Sequence, residues 1–121
     1  MSDALTNFFN ILLLLLMCHL IGDFVLQSSA MAEGKQPSSK SSINWIWWLT
    51  AHGATHGFLL IVVTGIPLIG LLEMILHCLI DYGKCIKLYS FEKDQFLHFI
   101  CKIAWSLIGL LLTPTTLGLI K

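Results

Sequence analysis

The chain has no arginine, and charged side chains make up only 12% of its 121 residues. An ordinary soluble domain carries about 25% charge. Seven lysines balance seven acids, so no basic face is available and a nucleic-acid partner is not expected. Paired cysteine spacing is missing too. Cys18, Cys78, Cys85 and Cys101 form no CxxC element, which argues against a disulfide scaffold or a cysteine metal site and for small packing residues in a reducing compartment. What the chain has in excess is apolar surface, at 56% of residues against about 45–50% in an average domain. That composition excludes a disordered segment and a soluble enzyme. The class left is one small integral membrane domain over residues 1–121, in contact with the lipid bilayer.

Crossing a bilayer takes roughly 20 apolar residues. Four windows meet that need, at about 5–27, 43–64, 66–82 and 95–113. The expected fold is all-α, an integral membrane four-helix bundle built from two helical hairpins. Thr64-Gly65-Ile66-Pro67 reads as a tight turn between spans two and three, and Pro114 ends the regular part of span four. The other connections, Ser28 to Ser42 and Gly83 to Asp94, are polar and about 12–17 residues long, in the range of long loops. They hold Lys35, Lys40, Lys84, Lys87 and Lys93, against Lys121 alone on the opposite side. The positive-inside rule then places both polar loops in the cytoplasm and both termini outside. Trp45, Trp47 and Trp48 enter span two where an aromatic belt is expected. Ser28-Ser29-Ala30 has the small residues of a signal-peptide cleavage site. The segment before it carries Asp3, His19 and Asp23 and no lysine or arginine, so span one is expected to be retained.

Ionisable groups inside spans are costly and usually functional. Here they are regular: His19 and Asp23, His52 and His56, His77 and Asp81, and Asp94 and His98 are each four residues apart. Residues at that spacing share a helix face. At about 1.5 Å per residue, the histidines lie roughly 6 to 16 Å in from the polar ends of their spans. Odd spans carry them near the C-terminal end and even spans near the N-terminal end, so all four pairs fall in the cytoplasmic half of the bilayer. Gln27 and Lys84 extend two of these faces. Glu73 sits one turn deeper than His77, as a general base or an interhelical hydrogen bond. Gly53 and Gly57 permit close helix approach.

An unpaired Asp at a span centre costs about 2.5–3.5 kcal/mol. A bound divalent cation offsets such a cost, since structural zinc contributes on the order of 10–16 kcal/mol. Ligands are expected among His19, Asp23, His52, His56, His77, Asp81 and His98. Zinc is the first choice of metal, with manganese or iron as alternatives. Asp23 and Asp94 are the expected catalytic carboxylates of a metal-dependent hydrolase. Lys84 and Gln27, at the rim, are expected to hold a lipid phosphate or another phosphoester. Three competing readings stay open: polar contacts that only glue the helices together, a metal or proton transporter or channel subunit, alone or as a homo-oligomer, and a non-enzymatic membrane adaptor.

Spans one and three repeat one another, His19-Leu-Ile-Gly-Asp23-Phe24 against His77-Cys-Leu-Ile-Asp81-Tyr82. Paired helical repeats around a central site are a known membrane architecture. The series His19-x-x-Gly22-Asp23-Phe24-x-x-Gln27, then Met31-Ala32-x-x-Lys35, resembles the opening of a bacterial and phage family of small membrane proteins, domain of unknown function 3307. His52-x-x-x-His56, His77-x-x-Ile80-Asp81-x-x-Lys84 and Asp94-Gln95-x-x-His98 resemble its later motifs, and together they cover nearly the whole chain. The resemblance implies a four-helix membrane protein, in the inner (plasma) membrane of a bacterium, and little biochemistry. His-x-x-x-His is more distantly similar to an element of membrane metal-dependent hydrolases.

Overall fold

The computed structural model describes residues 3–112. The expected end of span four at Thr113 and Pro114, and Lys121, lie outside the described residues. Within them the chain is all-helical: α1 (Asp3–Leu20) continues into a π-helical turn (Ile21–Val25), followed by α2 (Ser29–Gly34), α3 (Trp45–Thr64), α4 (Pro67–Cys85) and α5 (Phe91–Leu112). Among the described residues, Asp3–Val25, Trp45–Thr64 and Phe91–Leu112 are long and apolar enough to cross a membrane. The third expected span forms as α4, at the expected place. It falls outside that group because Glu73, Asp81 and Lys84 dilute its apolar face.

Local chemistry sets the boundaries. Asn44 caps α3 by accepting the Ile46 N–H at 3.0 Å. Gly65 closes α3 with a φ of 71°, the left-handed conformation that glycine adopts without penalty. Pro67 then starts α4 at the first turn, where its missing N–H has no helical partner to lose. Ser28, read from sequence as part of a cleavage-like site, caps α2 through the Met31 N–H at 3.1 Å.

Each long helix touches two others, so α1, α3, α4 and α5 close a ring. Packing is most extensive between α3 and α4 and between α1 and α5, whereas the internal repeat points to consecutive hairpins of span one with two and three with four. Small residues explain the first pairing. A Cβ on Gly57 would strike the Gly70 carbonyl, and one on Gly53 would strike the Cys78 sulfur, so the glycines let these two helices approach closely. The second pairing follows from the polar groups that α1 and α5 share. Ile11, Leu15, Leu60, Val63, Ile69 and Trp105 form the buried apolar core. It lies toward the Gly65 turn, and the polar groups fill the opposite half of the ring. The outer face is apolar, with Leu13, Val25, Phe58, Leu79 and Leu111 all exposed.

Candidate metal centre

Each long helix contributes one face to a buried polar core. His19, His52, His56, His77 and His98 are all within 1% of full burial, and Asp81 and Asp94 are equally inaccessible. Asp23 reaches the centre because the π-helical turn widens α1 by one residue there, a distortion frequent at functional sites. Gly22 makes the approach possible, since a Cβ there would collide with the His56 ring.

The Asp23 carboxylate is the hub. Its Oδ1 lies 2.9 Å from His56 Nε2, 3.2 Å from His52 Nε2 and 3.6 Å from His77 Nε2. His52 Nε2 and His77 Nε2 are themselves 3.2 Å apart. Ligands about 2.0–2.1 Å from a tetrahedral zinc stand about 3.3–3.4 Å from one another. Donor atoms of Asp23, His52, His56 and His77 all lie within 4.8 Å of one another, close enough to hold a metal ion. Hydrogen bonding accounts for them less well. His56 Nε2 and Asp23 Oδ1 face each other yet neither makes a hydrogen bond. One shared proton satisfies His52 Nε2 and His77 Nε2 together, so the unmet atoms at the hub are His56 Nε2 and Asp23 Oδ1.

Two layers flank the hub. Toward the loop end, Asp81 is clasped by Lys35 at 2.5 Å and Lys84 at 2.6 Å, and Lys84 also reaches Asp94 at 3.2 Å. Gln27 accepts a hydrogen bond from Lys35 at 2.5 Å and donates one to the Asp23 carbonyl at 3.1 Å. On the deep side, Glu73 pairs with Lys102 and accepts the Trp105 Nε1–H at 2.7 Å. Its Oε1 is 3.5 Å from His77 Nδ1, a contact without a hydrogen bond, since that nitrogen has none among the described residues. At the loop end, the Tyr89 hydroxyl donates to the Ile80 carbonyl. Burial pushes the Tyr89 phenol up, so it stays a donor.

The expected ligands therefore separate. Asp23, His52, His56 and His77 converge. His19, at 3.4 Å from Asp23 Oδ2, and His98, at 3.4 Å from Asp94 Oδ1, border that group. Asp81 lies between two lysines, with its nearest histidine nitrogen, that of His52, at 3.7 Å. Lys84 and Gln27 sit at the rim, as expected, but each is held by a carboxylate or a backbone carbonyl.

Four participants go beyond those expected from sequence. Lys35 lies in a polar loop that reads as solvated, yet it is only 3% exposed. Gln95 bridges Asp23 at 2.8 Å and Asp94 at 3.2 Å through its amide nitrogen, and its Oε1 meets His19 Nε2 at 3.0 Å. Lys102 and Ser106 had a visible signal: they continue the four-residue series of Asp94 and His98 along α5.

Charge accounting changes with these additions. Among the described residues, Asp81, Asp94 and Glu73 each have a lysine partner, and Asp23 alone of the buried carboxylates has none. The one unneutralised carboxylate is thus the one ringed by histidine nitrogens.

An all-helical protein with span-length apolar helices around a buried histidine–carboxylate core is the class that fold and site define. Over residues 11–118 the sequence matches the family described as protein of unknown function (DUF3307), and the chain belongs to that family. No curated protein and no solved structure matches it.

Proposed function

We propose that the protein is a membrane-embedded metal protein that holds one divalent cation, zinc in the first instance, on Asp23, His52, His56 and His77. The convergence of four buried donor atoms, all within 4.8 Å of one another and one of them on the carboxylate that has no lysine, carries this reading. α4 crosses the bilayer with the other three long helices. Its Glu73 and Asp81 are 1% exposed and turned into the ring, so they meet protein instead of lipid.

The reaction class that fits is hydrolysis of a phosphoester at the cytoplasmic face. A cation on these residues supplies Lewis acidity toward a phosphoryl oxygen and lowers the pKa of water. A cavity of about 300 Å³ at the loop end is lined by Lys35, Lys84, Lys87, Gln27 and Phe91, a basic and partly apolar mouth suited to a phosphate attached to a lipid. Water would add to phosphorus as the ester P–O bond breaks, and the proton that water loses would pass to the leaving alkoxide. A conduit needs an exit on the far side. The apolar cluster of Ile11, Leu15, Leu60, Val63 and Ile69 lies there instead, which supports a blind site over a transport path.

Elemental mass spectrometry of the purified protein tests the metal. At least one equivalent of a transition metal per chain is expected in wild type, with about one equivalent lost in His52→Ala. A metal-free wild type that takes up none on incubation with zinc removes the site and the hydrolase with it.

Orientation is tested separately. On a background with the four native cysteines replaced, Ser38→Cys and Ser90→Cys, both exposed, are expected to react with impermeant maleimide only after the cells are opened. Labelling of either in intact cells reverses the topology.

A further inference from the structure

Beside the Asp23, His52, His56 and His77 set lies a second group with the marks of a ligand site. His98 is 1% exposed, and neither of its ring nitrogens makes a hydrogen bond among the described residues. Asp94 is fully buried, and its Oδ1 likewise has no hydrogen-bond partner among them. These two lie 3.4 Å apart, Oδ1 to Nε2. Buried polar atoms are almost always satisfied, so three unsatisfied ones on two neighbouring residues call for a missing partner.

Asp23 connects the two groups. Its Oδ1 faces His52, His56 and His77, and its Oδ2 is the oxygen nearer α5, 2.8 Å from the Gln95 amide. One donor atom each from Asp23, Asp94 and His98 fall within 4.8 Å of one another. Gln95 holds the geometry. Its amide nitrogen donates to Asp23 Oδ2 and to Asp94 Oδ2, which leaves Asp94 Oδ1 turned to His98.

We infer that the core is a two-metal centre, in which a second divalent cation binds Asp94 and His98 and shares the Asp23 carboxylate with the first. This rests on the single-metal reading above and extends it. The two sites differ in kind. The first has four protein ligands, so an oxygen of water or substrate joins it only as a fifth. The second has three, which leaves a position for water or for an oxygen of the substrate, the arrangement of a catalytic site. Carboxylate-bridged cations stand about 3.5–4 Å apart, close enough to clamp both the attacking and the leaving oxygen of a phosphoester. Lys84 Nζ, 3.2 Å from Asp94 Oδ2 and lining the mouth cavity, links this second position to the side from which a substrate enters.

Manganese is the probe. Purified protein stripped by chelator and reloaded with manganese is expected to bind two equivalents per chain. Its electron paramagnetic resonance spectrum should be that of an exchange-coupled pair, not the hyperfine sextet of an isolated ion. His98→Ala, and separately Asp94→Asn, should lower the count from two to one and restore the sextet. One equivalent with an uncoupled sextet in wild type overturns the second site and leaves the single-metal reading standing. No bound manganese, and no zinc either, overturns both. The wild-type spectrum decides the matter even where neither variant folds.

Discussion

Asp23→Asn is expected to empty the protein of metal while its helices still assemble. A neutral amide is a poor ligand, and Asp23 is the carboxylate within 3.6 Å of four histidine nitrogens that has no lysine of its own. The unliganded core should tolerate the change well. The carbonyl of the introduced asparagine can accept the Gln95 amide that Asp23 Oδ2 now accepts at 2.8 Å, and its NH2 group can donate to the His56 nitrogen that lies 2.9 Å from Oδ1. Stability carries the second half of the prediction. A ligand present at 1,000 times its Kd stabilises the folded state by about 4 kcal/mol. Strong chelation should therefore lower the unfolding temperature of wild type in detergent, zinc should restore it, and Asp23→Asn should start at the lowered value and respond to neither. If the histidines and Asp23 only glue the helices together, the pattern reverses: wild type ignores the chelator, and Asp23→Asn alone is destabilised through loss of its charge-assisted contacts. Thermal unfolding of both proteins, with and without chelator, separates the two outcomes.

The sequence makes the ligand faces legible because four-residue spacing and matched depth are consequences of helix geometry alone. Once span direction alternates, His19, His52, His56, His77 and His98 have to meet at one level, and they do. Division of labour among the carboxylates was not legible. Asp81 has the same spacing to His77 as Asp23 has to His19, and the repeat makes them look equivalent. They differ because Lys35 folds back from the first polar loop onto Asp81. That return depends on α2, on its Ser28 cap and on the seat of Gly34 against Trp48, features with no periodicity to read. The π-helical turn at Ile21–Val25 is a second case. Asp23 lies within it and is turned inward, and the four-residue spacing gives no sign of the extra residue. Helix pairing was hidden for a related reason: the repeat marks which segments are alike, whereas contact is decided by where glycine backbones and shared polar groups permit approach. Lys102 was in plain view. Counted by loop, lysines report topology, and one inside a span escapes that count although its place four residues after His98 gives it the same face.

Lys102→Met should be the most damaging single substitution in the molecule. Lys102 is fully buried and pairs with Glu73, itself 1% exposed. Breaking a buried ion pair from one side costs about 3–5 kcal/mol, because a charge is left uncompensated in a low-dielectric interior. Replacing both partners with neutral groups of similar size is often close to neutral. The double variant Glu73→Gln, Lys102→Met should accordingly recover most of the loss, since the side-chain carbonyl of the introduced glutamine still accepts the Trp105 Nε1–H that Glu73 accepts at 2.7 Å. Additive losses in the two single variants and the double would show that the pair is not coupled. Metal affinity then separates the pair's two jobs. Glu73 Oε1 is 3.5 Å from His77 Nδ1, whereas the ion-pair partner of Lys102 is Glu73 and not a member of the four-ligand set. Loss of a group that orients a ligating histidine weakens metal binding roughly 10–100-fold. Glu73→Gln and the double variant should both show that weakening, the double with its stability restored. A double variant that recovers stability and wild-type affinity together would mean that Glu73 serves the helix packing alone and His77 is held by its ring neighbours, stacked between His56 at 3.6 Å and His98 at 4.1 Å.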